Sequence, residues 1–249
     1  MTKGNIRVGI GGWDYDPWRG TFYPDGLAKT KQLAWAAERL TAIEINATYY
    51  GSQKPATFAK WAEAVPDGFQ FSVKASRYAT NRKILAEGAE SIGRFLNQGI
   101  TELGDRLGPI LWQFMATKKF NADDFAAFLK LLPEKQDGLR LRHALEVRHD
   151  SFRDPAFLSL AKAANAAIVF ADSDEFPEIE EPTADFTYSR LQRSIETCPT
   201  GYDEASLKDW ADRAKIWASR GDTYVFFISG AKVRNPAAAT GLIERLKRG

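Results

Sequence analysis

Cysteine is nearly missing from this sequence. Cys198 is the only one in 249 residues, so no internal disulfide can form, and the chain suits a reducing compartment. Histidine is almost as scarce: only His143 and His149 occur, and their spacing is not that of an HExxH helix. A histidine-rich zinc centre is excluded by supply. An excess of one charge is also lacking, since 34 Lys and Arg against 32 Asp and Glu leave a net +2. That is too little for the global basic field carried by many nucleic-acid proteins, so any preference for anions must be local. No apolar run approaches the roughly 18 residues of a membrane helix, and the opening MTKGNIRVGIGG has no signal-peptide core. The expectation is a cytoplasmic protein without a membrane partner. Glycine phosphate loops and GxSxG are missing too, which removes the sequence signals for a dinucleotide site or a serine nucleophile. Cys198, beside Pro199 and away from any strand end, reads as a bystander thiol.

What is present centres on AIEINATYY, 42–50. It reads as a buried strand that turns Glu44 and Asn46 to one face and breaks into an aromatic turn. A carboxylate and an amide are poor core filling and need partners. ALEVRH, 144–149, repeats the design with Glu146 and Arg148 two apart.

Six further apolar runs read as strands: 6–11, 69–74, 109–114, 166–171, 185–191 and 223–228. With 42–46 and 143–148 they make eight. Helical spacing or caps predict helices over 31–40, 54–65, about 87–103, 121–132, 154–165, 206–220 and 235–248. The stretch Trp13–Tyr23 is a long aromatic loop, and Ser173–Thr183 is an acidic one. With 44% hydrophobic and 27% charged residues the composition is ordinary globular, enough for a sizeable core. Eight strands alternating with helices predict a single-domain α/β fold over 1–249, a TIM (β/α)8-type barrel.

In such a barrel the C-terminal strand ends form the active face. The polar residues there are Glu44, Asn46, Ser72, Lys74, Gln113, Glu146, Arg148, Asp172, Arg190 and Gln192. Glu44, Lys74, Glu146 and Asp172 are the catalytic candidates. Trp13, Asn46, Tyr49, Arg77, Gln113, Arg148 and Arg190 are the candidate ligand contacts. Lys74, Arg77, Arg148 and Arg190 predict a local positive patch suited to an anionic or polyhydroxylated small molecule. A carboxyl in a drier corner would have a raised pKa and serve as acid or base, and Glu44 and Glu146 are the candidates for that division of roles. No metal site or cofactor is expected; Mg2+ or Mn2+ on Glu44, Glu146 and Asp172 is the one variant the residues leave open.

The segments GGWDYDPWRGTFYP, AIEINATYY, FQFSVKA, LGPILWQF, ALEVRH and PTADFTYSRL, in this order, resemble the domain of unknown function 72 (YecE-like) family over nearly the whole chain. The resemblance implies a TIM barrel without an established activity. It implies that Trp13, Glu44, Asn46, Tyr49, Lys74, Gln113, Glu146, Arg148, Asp172 and Arg190 line a pocket. The chain departs from the family pattern at three places: Phe114–Ala116 in place of a proline-rich LPP, Gln192–Arg193 in place of His-Gly, and Ser229–Gly230 in place of an asparagine-rich turn. Fold analogy to barrel endonucleases and sugar isomerases adds nucleic-acid or sugar-phosphate chemistry. The leading expectation is an enzyme, a hydrolase, lyase or isomerase, applying acid–base chemistry to a phosphorylated or polyhydroxylated small molecule. The alternatives are a nucleic-acid-binding or nuclease-like protein and a non-catalytic receptor for a small ligand.

Overall fold

Alternation of apolar side chains along short β-branched and aromatic runs sorts each strand into an outward and an inward row. The computed structural model describes residues 4–248, so the extreme ends of the expected 1–249 unit lie outside the described residues. Nine parallel strands form one sheet: β1 (Ile6–Gly11), β2 (Ala42–Ile45), β3 (Gln70–Lys74), β4 (Leu107–Gln113), β5 (His143–Glu146), β6 (Ala167–Ile168), β7 (Phe170–Asp172), β8 (Phe186–Leu191) and β9 (Asp222–Phe227). Their order is β6-β5-β4-β3-β2-β1-β9-β8-β7. The two ends of that order are one chain segment. Ala167–Ile168 pairs with β5 and Phe170–Asp172 pairs with β8, with Val169 between them. The sheet therefore curls into a nearly closed barrel, and the strand expected over 166–171 is two half-strands with different partners.

The outward rows pack under helices α1 (Lys29–Ala37), α2 (Ala47–Tyr50), α3 (Pro55–Glu63), α4 (Arg77–Thr80), α5 (Ala89–Leu96), α6 (Ala122–Lys130), α7 (Pro155–Ala163), α8 (Glu204–Ala218) and α9 (Asn235–Arg248). Val8, Ile10, Phe71, Val73, Ile110, Trp112, Leu145 and Phe170 belong to this outer core. A smaller inner core of Ala42, Leu111, Ala144, Val169, Tyr188, Tyr224 and Phe226 fills the bore. Caps predicted from sequence hold two helices: Asn121 accepts from the Asp124 amide and Asp154 from that of Ala156. The helix expected over 87–103 is broken instead. It divides into a 3-10 turn at Leu85–Gly88, then α5, then a 3-10 stretch at Ile100–Arg106, and Gly99 at φ 102° separates α5 from that last stretch. Among the described residues no helix is long and apolar enough to cross a membrane.

Candidate functional site

Register brings the inward polar residues to one level. Glu44 lies beside Ser72 across β2 and β3, and Gln113 beside Glu146 across β4 and β5. Arg190, inward on β8, reaches between them. Its Nε and Nη2 donate to Glu44 at 3.1 Å each, and its Nη1 donates to Glu146 at 2.6 Å. Tyr188, two residues earlier on the same face, donates its hydroxyl to Glu44 at 2.7 Å, and Ser72 lies 2.8 Å from that hydroxyl. Gln113 Nε2 donates to Glu146 at 2.8 Å, and Arg148 closes on the other carboxylate oxygen through Nε and Nη2 at 3.1 and 2.9 Å. Glu44 and Glu146 are fully buried and Arg190 is 2% exposed. Each charge here is compensated, as burial of ions requires.

Above this floor lies a cavity of about 640 Å³ whose lining includes Trp13, Asn46, Tyr50, Lys74, Gln113, Arg148, Arg190 and Lys232. Lys74 differs from the two arginines beside it. Among the described residues its ammonium has no hydrogen-bonded or ion-paired partner; it rests 4.3 Å over the Tyr49 ring. Burial, then Arg190, lower its pKa, against the opposing pull of Glu44 and Glu146, to about 8. At Glu146 burial pushes the other way, but Arg190, Arg148, the Gln113 hydrogen bond and Lys74 together hold the carboxyl down at about 2. Burial alone would lower Arg190; Glu146 and Glu44 against it keep it charged. Burial and then the Glu44 charge raise Tyr188 well above the usual phenol range. The raised carboxyl expected from sequence is therefore not found at Glu146, which stays ionised at any working pH. The group brought toward neutrality is the amine. Lys74, Arg148 and Arg190 against Glu44 and Glu146 leave excess positive charge, and Lys232 at the rim adds to it.

The remaining sequence candidates fall as follows. Trp13 packs edge-on against Trp61, with ring centroids 5.2 Å apart, and lines the cavity. Asn46 follows the end of β2 and lines it too, its amide 3.4 Å from the Glu44 carbonyl. Tyr49 supports Lys74 from behind and accepts from Asn81 at 3.2 Å. Arg77 lies on α4 with its guanidinium 5.3 Å from the Tyr78 ring centroid, outside the cavity lining. Asp172 is also outside the lining: it is bound by Arg193 and accepts from Tyr202 at 3.1 Å. Val169 belongs to the inner core and Phe170 to the outer one, so Asp172 shares the outward row. Among the described residues no three acidic, histidine or cysteine side chains gather to hold a metal ion. Arg190 fills the space between Glu44 and Glu146, and Asp172 faces away, so these three do not make the oxygen cage the residues left open. His143, in turn, is a core residue, its ring bonded to Trp112 and to the Pro133 carbonyl.

Tyr188 and Lys232 carry parts of this arrangement that the sequence reading passed over. Tyr188 sits two residues from Arg190, and same-face spacing could have found it. Lys232 follows β9 in a short 3-10 turn, with no local signal of its position.

The family model for the protein of unknown function DUF72 matches residues 7–249. The chain belongs to this family. The UPF0759 protein YunF of Bacillus subtilis (strain 168) is 27% identical over 191 residues, 72% of this chain and 64% of that protein, so the match spans less than two thirds of YunF. Similar solved structures include a DUF72 protein from Thermotoga maritima, with TM-score 0.75 and 23% identity over 98% of both chains. Another is a DUF72 protein from Enterococcus faecalis, with TM-score 0.71 and 17% identity over 98% of this chain and 96% of that one. These likenesses show the α/β barrel. Two of the three departures from the DUF72 pattern have clear places in it. Arg193 ties Asp172 to Asp174, and Ser229 lines the cavity.

Proposed function

We propose that this DUF72 protein is an enzyme that uses Lys74 as a base on an anionic small molecule, phosphorylated or polyhydroxylated, held at the C-terminal mouth of the barrel. The observation that carries this reading is the unpaired Lys74 amine in a cavity whose arginines are already engaged by Glu44 and Glu146. Arg148 keeps Nη1 free of protein hydrogen bonds among the described residues, and this group would hold the anion. With a pKa of about 8, Lys74 is partly neutral near physiological pH and can take a proton from carbon beside a carbonyl. The C–H bond breaks, the proton goes to Nζ, and the electron pair becomes an enolate facing Arg148. An isomerase or lyase fits that step better than a hydrolase. Glu44 and Glu146 act as positioning residues that fix Arg190 and Arg148.

The reading is tested by solvent exchange. A panel of sugar phosphates and hydroxy acids is incubated with the protein in deuterated water and followed by proton NMR. At least one compound should take up deuterium, at a rate that rises with pH to a plateau above about pH 8, and Lys74→Met should abolish it. Exchange that survives in Lys74→Met would refute the assignment of the base.

A further inference from the structure

The mouth of the barrel is electrically divided. The three loops after β2, β3 and β4, residues 46–54, 75–84 and 114–121, contain six Lys and Arg and no Asp or Glu. The loop after β7, residues 173–185, contains six Asp and Glu and no Lys or Arg. The acidic loop is tied down by arginines from elsewhere: Arg193 to Asp174 and Glu178, and Arg213 to Glu180. The basic loops are not answered in this way. Among the described residues Arg77, Arg82, Lys83 and Lys119 form no ion pair, and only Lys118 does, with Asp124.

The same side carries exposed aromatic and apolar surface. Six large apolar side chains are exposed among the described residues, and four stand here: Tyr50 at 67%, Tyr78 at 59%, Ile84 at 45% and Met115 at 39%. They are continuous. Tyr50 packs edge-on against Tyr49, Tyr49 accepts from Asn81, Arg82 donates to the Tyr78 carbonyl, and Lys118 donates to that of Lys83. The far end opens into a groove of about 640 Å³ between Arg82–Ile84 and Met115–Asn121. The near end, Tyr50, is part of the Lys74 cavity rim.

We infer that this strip binds single-stranded nucleic acid, with Tyr50 and Tyr78 as stacking platforms and Arg77, Arg82, Lys83 and Lys119 on successive phosphates. Unpaired cations alone would suit any polyanion; exposed rings interleaved with them suit bases. The strip meets the Lys74 cavity only at Tyr50, and its test does not depend on turnover. The rings of Tyr50 and Tyr78 and the cations of Arg77, Lys83 and Lys119 are exposed, so neither kind of substitution below touches the core.

The probe is a short fluorescein-labelled oligothymidylate read by anisotropy between about 50 and 200 mM salt. The log–log slope should be about −2 or steeper, since each neutralised phosphate on a single strand adds about 0.7. The triple variant Arg77→Gln, Lys83→Gln, Lys119→Gln should flatten the slope by about 2. Tyr50→Ala and Tyr78→Ala should each weaken binding at least about fivefold with the slope unchanged. Absence of binding at low salt would overturn the inference, as would binding that the triple variant leaves intact. Loss with charge but not with the tyrosines, matched by equal competition from linear polyphosphate, would also overturn it, since the strip would then be a bare polyanion patch. Thermal melting of each variant alongside the parent separates lost contacts from lost fold.

Discussion

Both ends of the barrel bore hold a cluster of arginine and carboxylate, yet the two differ in what is left over. At the N-terminal end Arg7 and Arg142 converge on Asp222 at 3.2 and 3.1 Å, Arg142 also reaches Gln70, and Tyr224 donates to that same amide oxygen. Burial would raise Asp222, but the Asn5 amide, Arg7 and Arg142 together hold it below the usual range. Every polar head there has a partner. At the C-terminal end Arg190 and Arg148 satisfy Glu44 and Glu146 just as fully, and Lys74 then remains as a surplus cation facing a cavity. A closed cluster ends the bore. A cluster with one unpaired amine can bind and react.

Removing the central guanidinium at each end should separate the two clusters most widely. Arg190→Met should destabilise the fold by about 3–5 kcal/mol in urea unfolding, because two buried carboxylates lose their shared partner. Cooperative unfolding at nearly the parental midpoint would mean that the floor is not an ion cluster at all. Acid should act on the same end next. The Glu146 carboxyl lies at about 2 in the fold and in the ordinary range, about 4.3, when unfolded. Its stabilisation is therefore complete above about pH 4.5 and is lost as pH falls toward 2, by up to about 3 kcal/mol. Urea midpoints at pH 7, 4 and 3 would show the loss, and a Glu146→Gln variant should lack it. The smallest effect belongs to the other end. Arg142→Met should cost about 1 kcal/mol or less, since Asp222 keeps Arg7 and the Asn5 amide and is partly solvated, and deuterium exchange at the mouth should be untouched.

The architecture was legible in the sequence because alternation and strand–helix order are local properties. The half-strands around Val169 were not, since AAIVFA is apolar on both faces and carries no parity signal. That same ambiguity concealed the orientation of Asp172. In AIEIN and ALEV the polar residue marks the inward face, so the approach of Glu44 and Glu146 could be read in advance. Their roles could not, because the partner that fixes them, Arg190, arrives from a strand more than 40 residues away from either. A carboxylate's acidity depends on that geometry, not on its spacing along the chain. Lys74 was a candidate on the same footing as the carboxylates, and only burial beside Arg190 sets it apart.

That distinction can be measured directly. Carbon-13 NMR of protein labelled at the lysine ε-carbon, with Lys74→Met supplying the assignment, gives the titration midpoint of this one amine. The midpoint should lie near pH 8. A midpoint at the ordinary lysine value of 10.5 would show an amine that is solvated or ion-paired, and Lys74 could then not be the base.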